Sequence, residues 1–216
     1  MYTPHLHEET NLGVLHALVR AHPLGTWATL GDGELLVNHV PFYLDAARGP
    51  YGTLLCHVAR ANPVWKCCSH SVDSVVSFQG AAAYISPSWY ASKSLHGKVV
   101  PTWNYAVVHA HGIPVIVEDP VQLHRHLSQL TDEQERAQRH PWSIGDAPGG
   151  FIDQMIAQVV GIEIPIARLF GKWKVSQNRS AADRLGVVAG LTARAQSPDA
   201  EMAGLVAAAL DGKPAD

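Results

Sequence analysis

The sequence predicts a mainly β, α+β fold: a closed antiparallel barrel with helices at its periphery. Short apolar runs follow one another between positions 24 and 117, glycine or proline bounds each of them, and few helical patterns intervene. Strands so short and numerous expose long edges unless the sheet closes on itself, which a barrel achieves. The 216 residues are enough for one large domain with additions.

The elements follow in order. Segment 9–20 places Leu12, Leu15, Leu18 and Val19 at helical spacing, and Pro23 ends the pattern. Segments 24–30, 34–44 and 52–58 read as strands, with Gly31-Asp32-Gly33 and Arg48-Gly49-Pro50 as hairpin punctuation. Segments 72–78, 81–86, 101–111 and 115–117 continue the β pattern, broken at Gly80, Pro87, Gly97 and Gly112-Ile113-Pro114. Asp119-Pro120 opens a polar-rich helix over 121–138, and a second helix is expected over 149–158. Alternation returns over 161–169, where Pro165 suggests an edge or a bulge. Ser180 caps a helix over 180–188, and the Ala-rich tail is helical over 200–210. With no internal repeat and no long linker, the expectation is one domain over 1–190 with a helical tail over 191–216.

Composition excludes several classes. Apolar residues make up 47% and charged residues 16%, a balance that builds a core. The formal net charge of -3 gives no footprint for a polyanion, so direct DNA binding gains no support from charge. No apolar run is long enough to cross a bilayer, and Met1-Tyr2-Thr3-Pro4-His5 lacks a secretory pattern, so a cytoplasmic protein is expected. Cys56, Cys67 and Cys68 are too few for a disulfide framework and read as reduced thiols.

Four segments hold more polar and aromatic residues than packing requires. In Val37-Asn38-His39-Val40-Pro41-Phe42, a proline within a strand removes a ladder donor and frees neighbouring backbone groups for a flat heterocycle; a bulge without a ligand is the alternative. In His57-Val58-Ala59-Arg60-Ala61-Asn62-Pro63, a strand gives way to a helix start, where free N–H groups, an arginine fork and a histidine suit a phosphate. A helix cap at Asn62 with Pro63 following explains part of that run without a ligand. Tyr84, Ser86, Trp103 and Asn104 lie in two blocks that combine stacking surface with hydrogen-bonding groups, or fill a core or interface. The run Gly171–Arg179 joins Trp173 to Lys172, Lys174, Gln177 and Arg179, or is a solvated turn.

The thirteen histidines make chance pairs common, and neither His109 and His111 nor His124 and His126 have carboxylate or thiol neighbours at metal-ligand spacing. There is no HExxH, no GxSxG elbow and no GxxxxGK[ST] loop, which counts against metalloprotease, hydrolase and nucleotide triphosphatase chemistry.

Taken in order, MYTPHLH, HVARANPVW (57–65), AYISPSWYASK (83–93), VPTWNYAVVHAHG (100–112) and KWKVSQNR (172–179) resemble the PaiB-type FMN-binding negative transcriptional regulators over about residues 1–190. The resemblance implies a split β-barrel related to the pyridoxamine-phosphate-oxidase-like flavoproteins, working as a homodimer with FMN at the interface. It implies that the 57–63 run holds the flavin phosphate, with His57, Arg60 and Asn62 as polar contacts and Val58 and Ala59 between them. It places Asn38, His39, Val40 and Pro41 against the ring, Lys174, Gln177 and Arg179 in the element completing the cleft, and Tyr84, Ser86, Trp103 and Asn104 in its wall. The fold hosts enzymes and non-enzymes alike. The functions it implies are a flavin-dependent regulator acting through a protein partner or by removing a signal molecule, or an FMN-dependent oxidoreductase of a small-molecule substrate. For this last reaction His39, Tyr105 or His109 would supply a proton. Haem binding is a third option, since some split-barrel relatives handle haem.

Overall fold

A computed structural model describes residues 1–211, so the last positions of the expected 191–216 tail lie outside the described residues. The described residues form ten strands: β1 (Glu8–Glu9), β2 (Leu24–Gly31), β3 (Glu34–Pro41), β4 (Tyr43–Asp45), β5 (Thr53–Ala59), β6 (Ser74–Ile85), β7 (Thr102–Gly112), β8 (Val115–Val117), β9 (Val159–Pro165) and β10 (Arg168–Lys174). The α-helices are α1 (Leu12–Ala21), α2 (Val64–Cys67), α3 (Ser92–His96), α4 (Pro120–Glu135), α5 (Phe151–Ile156), α6 (Ala181–Arg194) and α7 (Asp199–Asp211). Hydrogen bonding arranges the strands in two sheets, one in the order β1-β10-β7-β6-β2-β3 and one in the order β4-β5-β9-β8. The mixed fold with a sheet core and peripheral helices is the one expected from the sequence.

The β2–β3 hairpin shows how local chemistry sets register. Gly31 pairs with Glu34, leaving Asp32-Gly33 as a two-residue loop with φ of 50° and 83°. Both values are positive, as a type I′ turn requires, and Asp-Gly is the dipeptide that tolerates them. Elsewhere the elements depart from the expected boundaries. Gly80 does not break a strand, because β6 runs through it from Ser74 to Ile85. The expected strand 34–44 is divided at Phe42, which is buried and ends the pairing with β2. The alternation expected over 161–169 falls on two strands, β9 and β10, with Pro165 closing the first.

The chain divides into two compact units. One comprises Met1–Leu18, Gln79–Val108 and the chain from Phe170 on; the other comprises Val19–Phe78 and His109–Leu169. In the first, Ala83, Ile85, Tyr90, Val175, Val187, Leu191, Met202 and Val206 form a buried cluster. Two glycines of α6 make room for Trp89: a Cβ at Gly190 would come within 2.3 Å of its ring, and one at Gly186 within 1.9 Å of its carbonyl oxygen. In the second unit Trp27, Phe42, Leu54, Phe78, Leu123, Ile162 and Ile164 are buried. Leu123 seats α4 on β9 at Gly161, where a Cβ would lie 2.9 Å from its Cδ2. Full burial of a leucine contributes about 1.5–3 kcal/mol, enough to define where α4 rests.

Candidate functional site

In the unit of Val19–Phe78 and His109–Leu169, the structure brings two predicted segments together. The Asn62 side-chain amide donates to Asn38 Oδ1 at 2.9 Å, tying the 57–63 run to β3. Among the described residues β3 is the terminal strand of its sheet and pairs with β2 alone. Phe42 N–H donates to Pro23 carbonyl in register with that pairing. Bonding to β2 therefore falls on alternate residues, which include Asn38 and Val40. The backbone groups of Val37 and His39, and the carbonyl of Pro41, face the other way, along the unpaired edge. The side chains of Val37, His39 and Pro41 are exposed, whereas Val40 is buried. Of the predicted 38–41 stretch, His39 and Pro41 are thus open to a ligand through their backbone, while Asn38 acts through its side chain. Val37, the first residue of the predicted segment, lies on the same unpaired edge, one step out of phase with the bonded series 42, 40, 38.

The 57–63 run is more committed than its sequence suggests. α2 is a single turn whose N-cap position is Pro63, and Asn62 Oδ1 accepts from Val64 N–H at 3.0 Å. Arg60 N–H donates to Gln158 carbonyl and Asn62 N–H to Ala59 carbonyl. The helix start is therefore not an open set of donors. The Arg60 guanidinium donates from Nε to Ala157 carbonyl, from one terminal nitrogen to Val159 carbonyl and from the other to Glu118, at 3.0, 3.0 and 2.8 Å. Guanidinium has five N–H groups, so two remain for another acceptor. Val58 is buried and pairs with Val160, and Ala59 is exposed and pairs with Val159.

His57, on β5 opposite Gly161, places Nδ1 at 3.2 Å from Nε2 of His126 on α4. His57 is half-buried and His126 is 4% exposed. Burial holds the His57 pKa below its ordinary value; burial and then the charge of His57 lower His126 to about 4, against the pull of Glu163. Glu163 itself is held low by Arg48, which meets it with two N–H···O bonds at 2.8 and 2.6 Å. An open cavity of about 440 Å³ in this unit is lined by His124, Ser128, Asp132 and the 143–153 segment, and by none of the predicted residues.

The other unit holds the remaining predicted residues. Tyr84 and Trp103 meet edge to face at 6.1 Å and are both exposed. Ser86 Oγ accepts from Ser88 N–H and caps a short turn. Asn104 is fully buried and donates to Ser176 Oγ, so it supports the 172–179 segment from below. Gln177 closes a turn: its oxygen accepts from Val175 N–H and its nitrogen donates to Trp173 carbonyl, with Ser176 at φ 65°. Lys174 Nζ donates to Thr102 Oγ1, and Arg179 lies 4.5 Å from the Tyr90 ring centroid. The 172–179 segment is thus strand and turn, and the Gln177 amide is engaged by its own backbone and, at 3.1 Å from its oxygen, by His7 Nδ1.

Comparison with known proteins agrees with this fold. A family model described as "Putative FMN-binding domain" matches residues 1–168. An uncharacterised protein of Emericella nidulans is 31% identical, covering 88% of this chain and 90% of its own length. The protease synthase and sporulation protein PAI 2 of Bacillus subtilis is 29% identical, covering 87% of each. Among solved structures, the flavocytochrome Anf3 of Azotobacter vinelandii superposes with a TM-score of 0.55 at 14% identity, over 78% of this chain and 70% of that one. The FAD and haem binding protein of Mycobacterium smegmatis gives 0.54 at 16%, over 77% and 73%. At these identities the two structures speak for the fold alone.

Proposed function

Because the chain belongs to the FMN-binding domain family whose model matches residues 1–168, we propose that it is an FMN-binding flavoprotein of the PaiB type, acting as a homodimer. The observation that carries the reading is the unpaired edge of β3 tied by Asn38 to the 57–63 run through Asn62. A strand edge offers alternating donors and acceptors to a flat ring, and the adjoining run carries the cation. His57 and the two uncommitted N–H groups of Arg60 would hold the phosphate; the Arg60–Glu118 ion pair is half-exposed and yields readily. His39 and Pro41 would meet the ring through the backbone. Bound FMN supplies the redox chemistry; the protein positions it and tunes it.

The regulatory part of the proposal draws on the resemblance of the ordered motifs to the PaiB-type regulators. With a net charge of -3, regulation runs through a protein partner or a small molecule and not through direct duplex recognition. No described helix is long and apolar enough to cross a membrane. The test is the visible spectrum of the purified protein before and after FMN addition, with Arg60→Ala alongside. Stoichiometric flavin absorbance, weakened in the variant, is expected; a protein that neither carries nor takes up FMN overturns the proposal. Salt-sensitive binding to one specific duplex would overturn the indirect mode, and steady NAD(P)H consumption would assign an oxidoreductase instead.

A further inference from the structure

The His57–His126 contact contains one proton. Both rings are neutral when a single N–H lies between Nδ1 of His57 and Nε2 of His126, 3.2 Å apart with the rings inclined at 66°. Two arrangements satisfy this. If His57 Nδ1–H donates, His126 must carry its other proton on Nδ1. That atom is buried and has no hydrogen-bond partner, so an N–H would be orphaned in the interior. If His126 Nε2–H donates, the buried Nδ1 is a bare acceptor, and His57 carries its remaining proton on Nε2. An orphaned buried N–H is the rarer and costlier of the two outcomes.

We infer that His126 is a positioning residue that locks His57 in the Nε2–H tautomer, so that His57 presents a neutral N–H donor to an acceptor oxygen. Nε2 lies across the ring from the contact, and the His57 ring makes no other hydrogen bond among the described residues. Resting on the flavin reading above, the inference identifies that oxygen as one of the FMN phosphate. The geometry behind it is fixed by packing. Gly161 faces His57 across the β5–β9 ladder, and its missing side chain lets Leu123 settle α4 close enough for His126 to reach.

The charged groups around the pair are few. β9 contributes Glu163, which is neutralised by Arg48 from the loop before β5, and α4 contributes Arg125, whose field falls on Glu163. None donates to or accepts from His126, so the tautomer is set by the two rings alone. Burial keeps both rings uncharged at neutral pH, so the donor is a neutral N–H and not an imidazolium.

The experiment uses full-length protein with ¹⁵N-labelled histidine. Long-range ¹H–¹⁵N spectra distinguish protonated from bare ring nitrogens without any ligand. Expected are a protonated Nε2 and a bare Nδ1 for His57 in the wild type. In His126→Leu a tautomer mixture should appear. In His126→Gln, whose amide nitrogen replaces the donor, the Nε2–H form should return. FMN titration of the three proteins should show about twofold weaker binding for His126→Leu, the loss expected when the Nε2–H form falls to about half of the population, and recovery for His126→Gln. A protonated Nδ1 on wild-type His57, or an unchanged tautomer in His126→Leu, overturns the inference. Equal FMN affinity in all three overturns the assignment of the donor to the phosphate. Failure of the wild type to bind FMN at all overturns the flavin reading, and the ring spectra still decide the tautomer.

Discussion

Asn62 uses both ends of one side chain: its amide donates to Asn38 and its oxygen accepts from Val64 N–H. One residue thereby fixes the end of β5, the start of α2 and the edge strand β3 in a common frame. Asn62→Ala should lose the bond to Val64 N–H and the bridge to Asn38 together, at about 1–2 kcal/mol of stability. Asn62→Asp keeps an acceptor for Val64 but loses the donor to Asn38. A double-mutant cycle with Asn38→Ala, read by urea unfolding, should give a coupling of about 1 kcal/mol. A coupling near zero would show that the two segments are joined by something else.

Arg60 is held by two carbonyls and one carboxylate, and only the carboxylate contact is expendable. Its exposed ion pair with Glu118 is worth about 0–1 kcal/mol. Glu118→Gln frees part of the fork at little cost, and FMN should bind about threefold more tightly. Arg60→Ala should weaken FMN binding and also lower the melting temperature, because Ala157 and Val159 lose their donors. Weaker FMN binding in Glu118→Gln would argue against a phosphate at Arg60.

Acid should destabilise this protein early. His126 is depressed from 6.5 to about 4 by burial and then by His57, so below pH 6.5 the unfolded chain binds a proton that the folded one refuses. Stability from this group is complete above pH 6.5 and falls as the pH drops towards 4, by on the order of 3 kcal/mol. Glu163 acts in the same direction at lower pH: its carboxyl, held low by Arg48, stabilises above the unfolded carboxylate value and is lost as the pH falls through the folded one. Urea midpoints between pH 7 and 5 should fall for the wild type and stay flatter for His126→Leu. Parallel curves would remove His126 as the cause.

The glycines of α6 and α7 offer a test of packing. An exposed helical Gly→Ala gains up to about 1 kcal/mol of helix propensity. Gly204 has open space at its Cβ, so Gly204→Ala should stabilise by about that amount. Gly190 and Gly186 face Trp89, and overpacking there costs about 1–3 kcal/mol, which outweighs the gain. Thermal melts of the three variants should place Gly204→Ala above the wild type and the other two below it. A stabilised Gly190→Ala would mean that Trp89 is not packed against α6.

Much of this was legible in the chain. Asp32-Gly33 specifies its hairpin because few dipeptides accept two positive φ values, and Asp119-Pro120 opens α4 with Asp119 accepting from Gln122 N–H. These are local interactions, decided within a few residues, and the ordered motifs were specific enough to point to the family. The sequence could not say what the polar side chains would be spent on. Arg60, Gln177 and Asn104 all look like ligand contacts in a string of letters. Gln177 closes its own turn, while Arg60 and Asn104 take partners that arrive from far along the chain, Val159 for Arg60 and Ser176 for Asn104. His57 and His126, 69 positions apart, became a pair only because Gly161 lets α4 lie close to β9. Short-range conformational preference is written into neighbouring residues; the satisfaction of a buried polar group depends on which partner packing delivers, and that is a property of the tertiary structure.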